Sequence, residues 1–373
     1  MNKFCTIVDT NYLPQALSML DSLMAHHPEG EFYLLISDIS GESTFKLDSI
    51  RILTLEDLKF DVTQLDLLLK LYDTVEFATC LKPLLIECLL TDKNDIVTYL
   101  DPDIIVFSRL DRGLEIAIKN GIALTPHRLT PSPVQLRDFN EMKFLKYGIF
   151  NLGYISVSDK SRPMLAWWSE RLMWFCTIFP DDSAFTDQKW IDFVPALFDF
   201  GVIRDRGYNL ATWNIDEREL FVLDGKFHTL DGPLVFIHFS QMSGGLARGQ
   251  RTKVWDQVLA HVPDSNLTLK ILTDLTLSYS ATLLRQKIEL QKLLSDQPKV
   301  ERKIPLSTLQ RRTLRNKSLE FWRNTHLYSS KVSFFTRVTA RTLKHLERSQ
   351  VWVGISLGLQ SDVRRLKKKL LHK

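Results

Sequence analysis

IVTYLDPDIIVF, residues 96–107, decides the reading of the fold, because an apolar run suited to a covered strand stops there at two aspartates one residue apart. Val97, Tyr99, Ile104, Ile105 and Val106 are β-branched or aromatic and favour a packed, pleated surface, whereas Pro102 has no amide hydrogen to give a ladder. The strand is expected to break at Pro102. Asp101 and Asp103 then stand at its carboxyl end, the edge of an open α/β sheet where ligands collect. Two carboxylates there offer hard oxygen ligands to Mg²⁺ or Mn²⁺ bridging a diphosphate. An Asp-x-Asp pair also arises by chance in a chain this long and serves as a solvated turn, so the flanks must decide.

With 373 residues, 45% of them hydrophobic, the chain can bury a large core as one large domain or two ordinary ones. No run approaches the roughly 18 to 20 apolar residues of a membrane span. MNKFCTIVDT leads straight into a strand without a signal-peptide pattern, so a cytoplasmic location is expected. Cys5, Cys80, Cys88 and Cys176 show no clip or framework spacing and read as buried thiols. The net charge of +4 hides an asymmetry: residues 301–373 hold 18 Lys and Arg against 4 Asp and Glu, a balance of +14, which leaves −10 for residues 1–300. An acidic body with a basic, aromatic-dotted tail points to an anionic partner.

From the N-terminus, Phe4 to Val8 is an apolar run ending at Asp9, and Pro14 opens a segment with Leu17, Leu20 and Met24 at helical spacing. Phe32 to Ile36 follows as a second strand, which makes a β-α-β unit, and Ile50 to Leu53 as a third. Thr63 to Tyr72 reads as a helix with Leu67, Leu68 and Leu71 inward. No Gly-x-Gly-x-x-Gly or Walker-type loop is present, so phosphates must be held another way. Thr79 to Leu90 is expected to be one helix with Leu84, Leu85, Cys88 and Leu89 facing the core and its first turn near Lys82 and Pro83. Lys82 has two readings, a phosphate partner at a helix start or a solvated lysine.

After the aspartates, Gly121 to Leu124 is a short strand leading to Thr125, Pro126 and His127. FNLGYISV, residues 150–157, is a strand in which Asn151 and Gly153 mark either a bulge or the close approach of a ligand. Pro163 starts an amphipathic helix carrying Leu165, Trp168, Leu172 and Phe175 as core. In DDSAFTDQKWIDFVPALF, residues 181–198, Thr186 is expected to cap a helix with Asp187 and Gln188 in its first turn and Trp190, Val194 and Leu197 below. YNLATWN, residues 208–214, suits a sugar face, although Trp213 equally plugs a core edge. LVFIHFS, residues 234–240, ends a strand in His238, a structural residue or a third metal ligand, before Gly244 and Gly245 in a loop.

The ordered set of Asp9, the Lys82 helix, YLDPDIIVF, FNLGY, TDQKW and VFIHFS resembles the GT-A glycosyltransferases, nearest to the glycogenin-like and bacterial galactosyltransferase group called family 8. The likeness covers about residues 1–245. It implies an α/β fold of GT-A type, a Rossmann-like mixed sheet flanked by helices, with residues 1–260 as the catalytic domain; beyond the likeness, charge and spacing make 261–373 a helical, basic C-terminal region. It also implies Mn²⁺ or Mg²⁺ held by Asp101, Asp103 and His238 on the diphosphate of a nucleotide sugar. Thr6, Asp9 and Tyr12 fall where such enzymes contact base and ribose, Asn151 and Gly153 where they meet the donor, and Asp187 and Gln188 where they recognise sugar and acceptor. Two departures stand out. Lys82 occupies the place of an arginine and cannot grip phosphate in a bidentate fork, and HFSQMSGG lacks the lysine that often follows the histidine.

The activity expected is transfer of a sugar, with retention of configuration in that group, to a glycan or lipid-linked acceptor in bacterial surface polysaccharide or glycoconjugate synthesis. Asp187 is a candidate base, with the leaving phosphate as the alternative, and Gln188 would steady the oxocarbenium-like sugar. Two other readings remain: a haloacid-dehalogenase-type phosphatase, whose Asp-x-Asp usually lies on the first strand, and a non-catalytic sugar-binding protein on the same fold. In the tail, Phe335, Val338, Thr342 and Leu346 share one face opposite arginines, which fits either a helix lying on an anionic membrane surface or an appendage packed on protein. Nucleic acid is not expected, for no binding motif accompanies the charge.

Overall fold

A computed structural model describes residues 1–39, 47–58, 62–132, 141–178, 185–240, 266–294, 300, 306, 310–311 and 313–316. Its strands are β1 (Asn2–Val8), β2 (Glu31–Ile36), β3 (Ile50–Leu53), β4 (Ile96–Leu100), β5 (Ile104–Val106) and β6 (Ile122–Pro126). After these come β7 (Phe150–Ser158), β8 (Gly201–Val202), β9 (Phe221–Leu223), β10 (Lys226–Thr229), β11 (Gly232–Pro233) and β12 (Phe236–His238). The helices are α1 (Leu13–His26), α2 (Val62–Leu71), α3 (Thr74–Cys80), α4 (Lys82–Leu89), α5 (Asp111–Asn120), α6 (Glu141–Tyr147), α7 (Arg162–Phe175), α8 (Val194–Leu197) and α9 (Leu267–Leu294). Contacts divide the chain into two units, Met1–Leu58 with Thr74–Val300, and Lys59–Asp73 with Glu301–Lys373.

The first unit is built on a mixed seven-stranded sheet in the order β3-β2-β1-β4-β7-β6-β8, flanked by helices, the α/β class expected. Every pairing in it is parallel except the two made by β7. The central strands are continuous apolar runs because helices cover both faces, so no polar alternation is required. Phe4, Val8, Leu34, Leu100 and Tyr154 pack with Leu20 and Leu23 of α1 and Leu114 of α5 in one core. On the other face, α7 buries Leu165, Trp168 and Leu172 as its spacing predicts, with Phe175 half-buried.

The chain breaks after Leu100 as Pro102 requires, and β5 leaves the large sheet to pair antiparallel with β12. That pairing sets Ile104 opposite His238. Between β6 and β7 the register slips, Leu124 facing Ile155 but Thr125 facing Asn151, so the bulge foreseen around Asn151 and Gly153 is present.

Two helix expectations need correction, both at prolines. Thr79 to Leu90 is not one helix: α3 stops at Cys80 and α4 begins at Lys82, since Pro83 cannot donate back to residue 79. On α4 the buried positions are Lys82, Pro83, Leu85, Ile86 and Leu89, Leu84 is half-buried, and Cys88 faces outward instead of into the core. Likewise the stretch from Thr186 forms a 3-10 turn over Gln188–Phe193, and Pro195 starts the short α8 anew. Thr186 does not cap it, Trp190 is half-buried and Leu197 is exposed. Asp181 to Ala184 lie outside the described residues, as do Gly244, Gly245 and the tail from residue 317.

In the second unit α2 buries Leu67, Leu68 and Leu71, and Arg311 Nη1 donates to the Leu71 carbonyl at 3.2 Å. Among the described residues no helix is long and apolar enough to cross a membrane. The long helix α9 belongs to the first unit and packs along α1, where Ser18 Oγ donates to Gln286 Oε1 at 2.8 Å.

Candidate active site

Where β4 ends, a cavity of about 620 Å³ opens, lined among others by Lys82, Asp101, Asp103, Asn151, Asp187, Gln188 and His238. One ligand atom from each of Asp101, Asp103 and His238 can be chosen so that all three lie within 4.8 Å of one another. His238 Nε2 stands 3.0 Å from Asp103 Oδ1 and 3.9 Å from Asp101 Oδ2. Its other nitrogen, Nδ1, faces Asn151 Oδ1 at 3.1 Å, which pins the ring and leaves Nε2 turned to the carboxylates. The imidazole can come this close to β7 only because residue 153 is glycine: a Cβ there would lie 2.5 Å from His238 Cε1. A pair of carboxylates, one imidazole aimed between them and a backbone cleared of side chain together suit a divalent cation.

Charge coupling within the group is strong. Burial alone would lower His238, but Asp103 and then Asp101 hold it above the usual histidine range. Burial would likewise lift Asp103, yet His238 beside it draws it below the carboxylate range. Asp101 ends above its ordinary value, with burial outweighing the pull of Lys82.

Lys82 is only 3% exposed, and its Nζ meets Asp187 Oδ2 at 2.8 Å, Asp101 Oδ1 at 3.2 Å and the Leu152 carbonyl, to which it donates, at 3.0 Å. The ring of Tyr99 lies 4.6 Å beneath it, while the Tyr99 hydroxyl donates to Asp101 Oδ1 at 3.0 Å. The Asp187 contact is an ion pair without hydrogen-bond geometry. Burial would lower Lys82, but Asp101 and Asp187 more than offset it and hold the ammonium well above its usual range. One cation thus ties a candidate metal ligand to Asp187.

Thr186 aims Asp187. It sits at φ +46°, a left-handed conformation that a β-branched residue adopts only under constraint. Its Oγ1 donates to Asp187 Oδ1 at 2.9 Å. Gln188 Oε1 accepts from the Leu152 amide at 3.0 Å, and its Nε2 donates to the Tyr147 carbonyl at 2.9 Å. The carboxamide of Asn151 is shared among His238, the Gly153 amide at 3.3 Å, Gln188 at 3.4 Å and His127 Nε2 at 3.3 Å.

Thr6, Asp9 and Tyr12 do not line this cavity. Thr6 is buried on β1, and Asp9 Oδ1 accepts from the amides of Asn11 and Tyr12 at 3.0 and 3.1 Å. Tyr12 is 51% exposed, and burial, then the charges of Asp103 and Asp9, raise its phenol. Sequence reasoning gave no role to His127, which stacks on Phe144 at 4.8 Å and meets the edge of Trp213 at 5.5 Å. Its place at the end of β6 beside Pro126 was the available signal. The pairing of Tyr147 with Phe185 at 4.7 Å, along the cavity lining, had none.

No known family model matches the chain. It is similar to the uncharacterized protein YfnF of Bacillus subtilis strain 168, 26% identical over 247 residues that cover 64% of this chain and 80% of that protein. Among solved structures, it is similar to the galactosyltransferase LgtC in complex with donor and acceptor sugar analogs, at 17% identity and a TM-score of 0.40 over 70% of this chain and 98% of that one. The glycosyltransferase GlyE of Streptococcus pneumoniae TIGR4 gives 16% identity and a TM-score of 0.41 over 81% of this chain and 67% of that one.

Proposed function

We propose that the chain is a metal-dependent glycosyltransferase of the GT-A type, moving a sugar from a nucleotide-sugar donor, a UDP-sugar on the resemblance, to a glycan or glycolipid acceptor. The observation that carries this reading is one cavity, at the carboxyl edge of a mainly parallel sheet, lined by an Asp-Asp-His group together with Asp187 and Gln188. Asp101, Asp103 and His238 would hold Mn²⁺ or Mg²⁺, and the imidazole in the set favours Mn²⁺. When bound, such a cation neutralises the charge that develops on a departing diphosphate.

The remaining work falls to the chain's own side chains. Asp9 and Tyr12, just past β1, would take base and ribose from beside the cavity, with Thr6 buried beneath them, and the bulge at Asn151 and Gly153 keeps His238 oriented. Lys82 fixes Asp101 and Asp187 relative to each other and leaves a buried positive charge beside the phosphates. Both oxygens of Asp187 are occupied, one by Lys82 and one by Thr186, so it offers a fixed negative charge to the oxocarbenium-like sugar more readily than a lone pair to a proton. The acceptor's proton then passes to an oxygen of the leaving phosphate. Gln188 steadies the sugar, and retention of configuration is the outcome the resemblance implies. With the basic tail on an anionic surface, the product would be a surface polysaccharide or glycoconjugate built at the cytoplasmic face of a membrane.

Purified protein incubated with Mn²⁺ and a panel of nucleotide sugars should release nucleoside diphosphate, and Asp103→Asn should lower that rate at least about 100-fold with little change in Tm. Turnover that survives the substitution, or release of phosphate from a generic ester in place of nucleoside diphosphate, refutes the reading.

A further inference from the structure

From His127, just past β6, a chain of hydrogen bonds runs through Asn151 to His238. The His127 ring is buried against Phe144, and burial holds it neutral, down to about 3. A neutral imidazole carries one hydrogen, on one of its two nitrogens. Nδ1 faces the Ile149 carbonyl at 3.2 Å, and a carbonyl only accepts, so the hydrogen sits on Nδ1. Nε2 is therefore a bare acceptor.

Asn151 meets that acceptor at 3.3 Å and can do so only with its amino group, which turns Oδ1 the other way. Two contacts of fixed polarity agree with this orientation. The Gly153 amide, a donor, faces Oδ1 at 3.3 Å, and Gln188 Oε1, which already accepts from the Leu152 amide, faces Nδ2 at 3.4 Å. Oδ1 in turn meets His238 Nδ1 at 3.1 Å, and an oxygen that only accepts requires a hydrogen on that nitrogen. The lone pair of the neutral His238 ring is then on Nε2, the atom facing Asp101 and Asp103. Any second proton on the ring sits there against Asp103 and must leave before a cation binds. With the His127 hydrogen on Nε2 the chain would run backwards: the carboxamide would turn, and the lone pair of His238 would be spent on Asn151.

We propose that His127 is a positioning residue for the metal site, which through Asn151 fixes the tautomer of His238 and so aims the Nε2 lone pair between Asp101 and Asp103. This rests on the metal-dependent reading above.

Long-range proton–nitrogen NMR correlations of the full chain with isotope-labelled histidine, without added metal, read the tautomer directly. His127, assigned by its loss in His127→Phe, should show a protonated Nδ1 and a bare Nε2, and a proton on Nε2 overturns the inference. Calorimetry with Mn²⁺ alone reads the consequence. His127→Phe keeps a ring on Phe144 but has no acceptor for Asn151, so Kd should rise about tenfold. His127→Gln, whose Oε1 can accept from Asn151, should recover most of that loss. Unchanged affinity in His127→Phe overturns the inference, and so does an equal loss in both variants, which would assign His127 to packing. If wild type binds no Mn²⁺, the metal-dependent reading fails and takes this one with it. If wild type binds Mn²⁺ and the His127 tautomer is reversed, only the role of His127 falls.

Discussion

At position 153 there is room for a hydrogen and nothing larger, since a Cβ would stand 2.5 Å from Cε1 and 2.8 Å from Nδ1 of His238. Gly153→Ala should therefore push the imidazole away from Asp101 and Asp103. Mn²⁺ affinity, read by calorimetry, should fall by about tenfold or more, the usual cost of disturbing what orients a ligand. Unchanged affinity would remove His238 from the ligand set. The two aspartates and His238 were legible because each borders a run of apolar residues, Asp101 and His238 at its end and Asp103 at its start, a local signal. Lys82 was not. Its partners lie 19 and 105 residues further along the chain, and no local pattern distinguishes a lysine on the surface from one buried between Asp101 and Asp187.

Periodicity located most elements, including β1 to β4, α1 and α7, and it failed where a proline restarted a helix within an unbroken apolar pattern. At α4 the error rotates the helix, so that Cys88 faces outward while Cys5, Cys80 and Cys176 stay buried. Burial raises the Cys5 and Cys176 thiols and holds them inert. A thiol reagent such as DTNB should accordingly modify one of the four cysteines rapidly in the native protein and all four after denaturation. Cys88→Ser should abolish the rapid phase. A rapid phase that persists in that variant would restore the helix orientation read from the sequence. The bulge on β7 was readable from Asn151 and Gly153, but its purpose was not, because the partner it makes room for lies on β12, 85 residues beyond Gly153.

For the whole molecule, charge governs how stability varies with pH. His127 is buried and held down to about 3, so below about pH 6.5 the unfolded chain binds a proton that the folded chain refuses, and stability falls as pH falls. Asp95, paired with Lys3 at 2.6 Å and held at about 2 against its own burial, extends that loss below about pH 4. His238, whose pKa is raised, acts oppositely: its contribution is present at low pH and lost as pH rises through its folded value. Urea titrations at about pH 7 and about pH 5 should therefore show wild type losing on the order of 2 kcal/mol more than His127→Gln, and equal losses would refute the assignment. On the larger scale, residues 1–300 carry −10 and residues 301–373 carry +14, so along the sequence only the tail has the sign that an anionic surface would attract. Such attraction is screened by salt, as a Debye length shrinking below the size of a headgroup requires. The full chain should co-sediment with phosphatidylglycerol-containing vesicles at about 0.05 M salt, release at about 0.5 M, and ignore pure phosphatidylcholine. If it binds neither vesicle at low salt, the positive charge of the tail serves protein packing, and membrane attachment drops out of the proposed function.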